Sequence, residues 1–167
     1  MTDYPFEIKL LGKEDRSDFC CGSEPLDRYF KTQVGQDVRR RVSACYVAVE
    51  NATRRVAGYY TLSAADVPVS GLPAGITRRL PRYHTVPAAR IGRLAIDRRF
   101  QGRRLGGALL LNAAMRALRA EIAVFALVVD AKDDGAAAFY RHYGFSAFPS
   151  IPLQLIAPIE TFRKFLD

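Results

Sequence analysis

The chain alternates between two hydrophobic periods. Tyr4 to Leu11 alternates apolar and polar residues and predicts a first strand. Ser23 before Glu24-Pro25 is an N-cap signal with Pro in the first helical turn. Leu26, Tyr29, Phe30 and Val34 follow at helical spacing, and Gly35 to Arg41 is polar and basic. Val42 to Glu50 and Arg54 to Ala64 are rich in Val, Tyr and Thr and flank Asn51-Ala52-Thr53, a hairpin signature. Pro68 to Pro81 is interrupted by Gly and Pro and predicts a loop with a short helix near Ile76 to Leu80.

Val86 to Ile96 predicts a fourth strand, and Arg104 to Arg119 a helix carrying Leu105, Leu109, Met115 and Leu118. Ala123 to Val129 is nearly continuous in apolar residues, as in a buried parallel strand. Asp133 or Asp134 opens a helix through Phe139, Tyr140 and Tyr143, and Gly144 ends it in the C′ position. Phe145 to Ile156 reads as extended, and Pro158 starts a short terminal helix. The order is β, α, β, β, β, α, β, α, β. A hairpin half followed by strand–helix–strand predicts an α/β (α+β) fold: a mixed sheet with helices on both faces.

The chain has 167 residues, enough for one domain (1–167) with a substantial core. No apolar run approaches the roughly 20 residues that span a bilayer. Met1-Thr2-Asp3-Tyr4 lacks the basic and apolar regions of a signal peptide. Three cysteines, two of them adjacent, and two histidines indicate neither a disulfide framework nor a zinc site, so no metal is expected. A cytoplasmic location without membrane contact is the simplest expectation.

Charge changes this picture more than composition does. The net charge is +8, and of 25 basic residues 20 are Arg. Between Arg78 and Arg119 there are eleven arginines and one acid, Asp97. Solvated surfaces usually mix signs. Such a surplus points to a polyanionic partner, and Arg is the side chain best suited to phosphate forks.

Part of the surplus lies inside a strand–turn–helix, Arg93-Leu94-Ala95-Ile96 through Asp97-Arg98-Arg99-Phe100-Gln101-Gly102-Arg103-Arg104-Leu105-Gly106-Gly107-Ala108. A helix start leaves backbone N–H groups unpaired and carries the positive end of the macrodipole. Gly102, Gly106 and Gly107 let an anion approach the backbone, and Arg103 and Arg104 add charge. No Lys follows Gly106 or Gly107, which excludes a Walker loop, and the glycine spacing excludes the dinucleotide fingerprint. Arg103, Gly106 and Ala108 instead meet Arg/Gln-x-x-Gly-x-Gly/Ala, the acetyl-CoA pyrophosphate motif of the GNAT N-acetyltransferases, a superfamily this chain resembles.

A second group of residues supports the resemblance. Val128-Val129-Asp130-Ala131 ends a strand, and the helix that follows carries Phe139-Tyr140, three residues, then Gly144-Phe145, as in the C-terminal motif of GNAT enzymes. On helical spacing alone Tyr140 is one more aromatic on a buried face. With the motif in register it is the candidate general acid, its phenol protonating the thiolate that leaves when an amine attacks a thioester. The resemblance implies a GNAT fold, a mixed, mostly antiparallel sheet whose fourth and fifth strands splay apart. Free N–H groups at Leu94, Ala95 and Ile96 would then face the thioester carbonyl. It also implies acetyl-CoA as donor, held by Leu94, Ala95, Ile96 and Gln101 through Ala108 (Gln101, Gly102, Arg103, Arg104, Leu105, Gly106, Gly107, Ala108), with Asp133 nearby.

No general base is evident. Glu50 and Asp97 are the acidic candidates and nothing marks them, while His84 and His142 read as surface residues. A free α-amine needs no strong base, since its pKa is near 7.7–8.0 and is lowered further by an adjacent ester. That favours an aminoacyl ester over a lysine side chain as acceptor.

The N-terminal half narrows the resemblance. Phe19-x-Cys21-Gly22-x-x-x-Leu26-Asp27-x-Tyr29-Phe30, Gly58-Tyr59-Tyr60-Thr61-Leu62-Ser63 and Ile91-Gly92-Arg93-Leu94-Ala95-Ile96-Asp97 resemble, in order, segments of the GNAT-type toxins of bacterial toxin–antitoxin pairs, the TacT and AtaT group. Arg103 departs from the Gln common there, and Gly107 occupies a variable position. The resemblance implies transfer of acetyl to the α-amine of aminoacyl-tRNA, which blocks translation. It implies a cognate antitoxin with a ribbon–helix–helix part, and a homodimer. Arg78, Arg79, Arg82, Arg90 and Arg93 are the candidate tRNA ligands, which Arg39, Arg40 and Arg41 could extend. Two other readings differ in what they require. A GNAT enzyme for a small amine or a protein N-terminus needs no arginine patch, and a non-catalytic nucleic-acid module needs no Tyr140.

Overall fold

The computed structural model describes residues 3–166. Met1 and Thr2, part of the segment read against a signal peptide, lie outside it. The elements are β1 (Phe6–Leu10), α1 (Glu24–Thr32), α2 (Val34–Arg39), β2 (Ala44–Glu50), β3 (Val56–Pro68), α3 (Ala74–Thr77), β4 (Thr85–Ile96), α4 (Leu105–Leu118), β5 (Ala126–Asp130), α5 (Asp134–His142), β6 (Ser146–Phe148) and β7 (Ile151–Pro158), with 3-10 turns at Val69–Gly71, Arg98–Phe100 and Ile159–Phe165. The sheet has seven strands in the order β1-β2-β3-β4-β5-β7-β6, mixed and mostly antiparallel. The parallel pair is β4–β5, registered from Ala88↔Ala126 to Ile91↔Val129. Beyond that register β4 continues to Ile96.

Two compact units divide the chain, Met1–Ser63 with Arg93–Ala113, and Ala64–Gly92 with Ala114–Asp167. The strands β3 and β4 and the helix α4 each run from one into the other.

The first unit is centred on aromatic residues. Phe19, Tyr29, Phe30, Val34, Cys45, Val47, Val49, Val56, Tyr59 and Ala95 pack together. The rings of Phe30 and Tyr59 stack at 4.2 Å, with Phe19 edge-on to both. Each such ring, fully buried, contributes about 1.5–3 kcal/mol. The sequence pattern runs one helix from Ser23 through Val34, whereas the structure breaks it at Gln33, whose φ of −123° is not helical. The polar stretch after Val34 is itself helical as far as Arg39, because fully buried Val34 and the partly buried Val38 anchor it to the core.

The second unit buries Val67, Val69, Leu72, Ile76, Leu80, Val86, Ala88, Ala126, Val128, Phe148 and Ile156 in one cluster. The stretch read as extended from Phe145 to Ile156 is two antiparallel strands joined by a turn at Pro149-Ser150. The helix expected near Ile76 to Leu80 begins earlier, at Ala74, after Pro73. All three cysteines are free thiols. Among the described residues no cluster of His, Cys, Asp or Glu could hold a metal ion, and no helix is long and apolar enough to cross a membrane.

Candidate active site

In the first unit the strand–turn–helix forms as the sequence predicts, with the helix beginning one residue later, at Leu105. Asp97 organises the turn. Its carboxylate is almost fully buried and accepts from Cys20 N at 3.0 Å, Arg99 N at 2.9 Å, Arg99 Nε at 2.9 Å and Arg99 Nη2 at 3.1 Å. Burial alone would raise its pKa, but the bonds from Arg99 and the two backbone N–H groups outweigh it and hold the carboxyl below the ordinary carboxylate value. A carboxylate so engaged is a fastener, not a base. Gln101 fastens the same turn, donating from Nε2 to Ile96 O at 2.9 Å and Cys21 O at 3.0 Å.

The backbone then turns left-handed twice, at Gly102 (φ 81°) and Arg104 (φ 62°), on either side of Arg103. Left-handed residues in a turn allow neighbouring N–H groups to converge on a common point, as in an anion nest. Arg104 takes this conformation against a penalty of about 1–2 kcal/mol that glycine would not meet. Ala108 N donates to Arg104 O at 3.3 Å across the start of the helix, so the amides of Leu105, Gly106 and Gly107 precede the intrahelical ladder. A diphosphate fits this end of α4 on charge, on free donors and on the absence of side chains at Gly102, Gly106 and Gly107. Arg103 stands beside it, its guanidinium 5.0 Å from the Phe6 ring and 3.7 Å from the Glu50 carboxylate. Glu50 also accepts from Thr53 Oγ1 at 2.7 Å.

Leu94, Ala95 and Ile96 form the end of β4, where Gly58 lets β3 come close. A Cβ on Gly58 would stand 2.9 Å from Ala95 O. Arg93, one residue before, lays its guanidinium on the face of Tyr29 at 3.5 Å, and the Tyr29 hydroxyl donates to Asp37 at 2.6 Å.

In the second unit Asp133 caps α5, accepting from Ala136 N at 2.8 Å. Seven residues on, in that helix, Tyr140 is 4% exposed, its ring edge-on to Phe139 and Phe145. Among the described residues its hydroxyl has no hydrogen-bond partner, and no buried side-chain polar atom is left unsatisfied, so the hydroxyl tip reaches accessible space. Burial, and secondly the negative charge of Asp130, raise its pKa above the ordinary 10, which keeps the phenol protonated at neutral pH.

Asp130, which the sequence reading left without a role, ends β5 and gathers two side chains. Arg90 Nη1 donates to both its oxygens at 3.0 and 2.9 Å, and Gln154 Nε2 donates to Oδ1 at 3.1 Å. An acid at a strand's end beside an arginine on the neighbouring strand, forty residues earlier in the chain, leaves no signal in a linear pattern. Arg78, Arg79 and Arg82 lie on exposed backbone between α3 and β4; Arg79 sits 5.8 Å from the Phe125 ring and Arg78 Nε reaches Ala74 O at 3.4 Å. His84 and His142 are exposed.

Comparison with known proteins agrees along the chain. The model of the acetyltransferase (GNAT) family matches residues 11–145. A tRNA-acetylating toxin of Mycobacterium tuberculosis strain H37Rv is 32% identical over 168 residues, covering 99% of each chain. The structure of AtaT complexed with acetyl-methionyl-tRNAfMet superimposes with a TM-score of 0.85 at 27% identity, over 97% of this chain and 99% of that one. A Tyr-to-Phe mutant of AtaT bound to the C-terminus of the antitoxin AtaR and acetyl-CoA does so with a TM-score of 0.81 at 25% identity, over 98% and 99%.

Proposed function

This chain belongs to the acetyltransferase (GNAT) family, and from that premise we propose that it is an N-acetyltransferase toxin that moves acetyl from acetyl-CoA to the α-amino group of aminoacyl-tRNA. The observation that carries the proposal is the end-to-end similarity to a tRNA-acetylating toxin. AtaT, of the same fold, has been captured with acetylated methionyl-tRNA and with acetyl-CoA.

The chemistry follows from the groups described. Gly102 to Ala108 hold the pyrophosphate of the donor, while Leu94, Ala95 and Ile96 line its thioester arm. The neutral α-amine attacks the thioester carbonyl, a C–N bond forms and the C–S bond breaks. The sulfur takes up the Tyr140 proton, the amine releases one to water, and the phenol is reprotonated from solvent. Asp97 and Glu50 are both engaged elsewhere, which supports attack without a protein base. Of the five candidate arginines, Arg78, Arg79 and Arg82 offer the tRNA backbone exposed charge, whereas Arg90 is paired with Asp130 and Arg93 lies on the Tyr29 ring. The enzyme acts in the cytoplasm, as a homodimer, and is neutralised by a ribbon–helix–helix antitoxin docking as AtaR does on AtaT.

The test is purified protein with acetyl-CoA and total aminoacyl-tRNA, followed by the mass of released aminoacyl-adenosine. A gain of one acetyl group on at least one amino acid is expected. No gain on any amino acid sinks the proposal.

A further inference from the structure

The second unit contains a cavity of about 190 Å³ that the sequence does not announce. Val67, Pro68, Val128, Phe148 and Ile151 make apolar walls. Arg90 and Gln154 stand on its rim, and both are held there by Asp130, through the bidentate pair and the amide bond described above. Asp130 and Val128 lie two residues apart on β5 and so share one face of the strand. The same Asp130 charge acts on the Tyr140 phenol. Arg90 and Val128 line the cavity from opposite positions near the end of the β4–β5 pairing, which stops at Ile91↔Val129.

We propose that this cavity receives the side chain of the amino acid esterified to tRNA, and that it restricts the enzyme to uncharged apolar residues of intermediate size. This rests on the proposed function. It adds which aminoacyl-tRNAs are substrates and which residues choose them.

The size follows from the volume. An apolar cavity of about 150 Å³ is enough to hold benzene. The space here takes a valyl, leucyl, isoleucyl, methionyl or phenylalanyl side chain, and glycine or alanine leaves it largely unfilled. Each methylene not buried lowers kcat/KM about 4-fold. A charged side chain would be stripped of water against Val128 and Phe148, and the one cation lining the cavity, Arg90, is already committed to Asp130. Exposed Asp66 at the cavity adds repulsion against acidic side chains. Discrimination against charged residues should be on the order of 100-fold or more.

The experiment is a competition. The purified protein is given acetyl-CoA and total tRNA charged with all amino acids, and each acetylated aminoacyl-adenosine is quantified by mass. Acetylation confined to the five intermediate apolar residues is expected. Two variants then move the preference. A Cβ on Gly71 meets nothing within 4 Å, so Gly71→Leu adds bulk at the cavity from a position whose first carbon has open space. It should cut acetylation of the largest preferred residues at least about 10-fold and spare the smallest. Phe148→Leu should extend the range upward, and melting curves confirm that both variants fold. Acetylation of glycyl-, aspartyl- or lysyl-tRNA on a par with the apolar set overturns the proposal, as does a preference that neither variant moves. Absence of acetyl on every amino acid is a separate outcome: it removes the proposed function, and this assignment with it.

Discussion

Tyr140→Phe removes one oxygen and leaves the ring where Phe139 and Phe145 pack it. The hydroxyl has no protein partner among the described residues, so folding stability should change by no more than about 0.5 kcal/mol. Activity should fall much further. A positioned general acid is worth about 10²–10⁴ in rate, or roughly 2.7–5.5 kcal/mol. The raised pKa refines how the group works. A free thiol sits near 8.5, so complete proton transfer from Tyr140 to a solvated thiolate is uphill. A thiolate expelled beside a buried ring is desolvated too, which makes it more basic. The two values rise together, and the gain comes from a hydrogen bond strengthening as charge develops on sulfur. The pH sign follows. Tyr140 is active when protonated and its pKa is raised, so its contribution persists through neutral pH and is lost only above the ordinary tyrosine range. The assay is single-turnover acetylation of charged tRNA across pH, with thermal melts of both proteins. A rate loss under about 3-fold at unchanged Tm would refute the acid role, and so would an alkaline limb below pH 9 that disappears in Tyr140→Phe.

Three further outcomes test the surrounding structure. Asp97→Ala leaves the amides of Cys20 and Arg99 without their acceptor and should lower stability by about 2–4 kcal/mol in urea titration, with Asp97→Asn intermediate. Because the folded-state pKa of Asp97 is depressed, its contribution is present above about pH 4 and lost as pH falls through the lower folded value; an Asp97→Asn chain should lose that acid dependence. Arg104→Gly should act in opposite directions, raising stability by about 1 kcal/mol through relief of the left-handed backbone and weakening acetyl-CoA binding through loss of charge at the helix start, read by calorimetry. Arg78→Ala with Arg79→Ala should raise KM for tRNA, leave KM for acetyl-CoA alone, and flatten the salt dependence of log KM by about 0.7–0.9 for each phosphate contact removed.

The sequence was most legible where one residue type can do the job. Gly102 and Gly144 mark left-handed positions, Asp133 marks a helix start, and the alternating Val, Tyr and Thr of Cys45 to Thr61 mark the hairpin. Legibility failed where tertiary packing overrode the local pattern. Gly35 to Arg39 is helical because Val34 and Val38 are anchored in the core, which a polar, Gly-bearing stretch does not advertise. Arg104 is left-handed although its side chain disfavours that region. The motifs marked Tyr140 and the turn from Arg93 to Ala108, each a local run of residues. The cavity and its rim come from β3, β4, β5, β6, β7 and the turns between them, and no single segment holds enough of it to be seen.

The arginine surplus shows the same limit in energetic form. Counted along the chain, eleven arginines between Arg78 and Arg119 face one acid. In the folded chain acids from distant segments reach several of them: Asp130 holds Arg90, Asp18 joins Asp97 on Arg99, and Glu50 lies near Arg103. Arg93 is spread on a tyrosine ring. Arg78, Arg79 and Arg82 form no ion pair among the described residues and sit within one short exposed segment. If all eleven met phosphates, log K would fall with log salt at a slope near −8 to −10; three contacts give about −2 to −3. The shallower slope is the one this structure supports. An arginine already paired gains little from a phosphate, since it must first give up a carboxylate, whereas an exposed unpaired one exchanges only water and counterions. Charge counted along the sequence therefore overstates the charge the fold leaves for a polyanion, and part of the excess goes into fastening the turn at Asp97 and pairing Arg90 with Asp130.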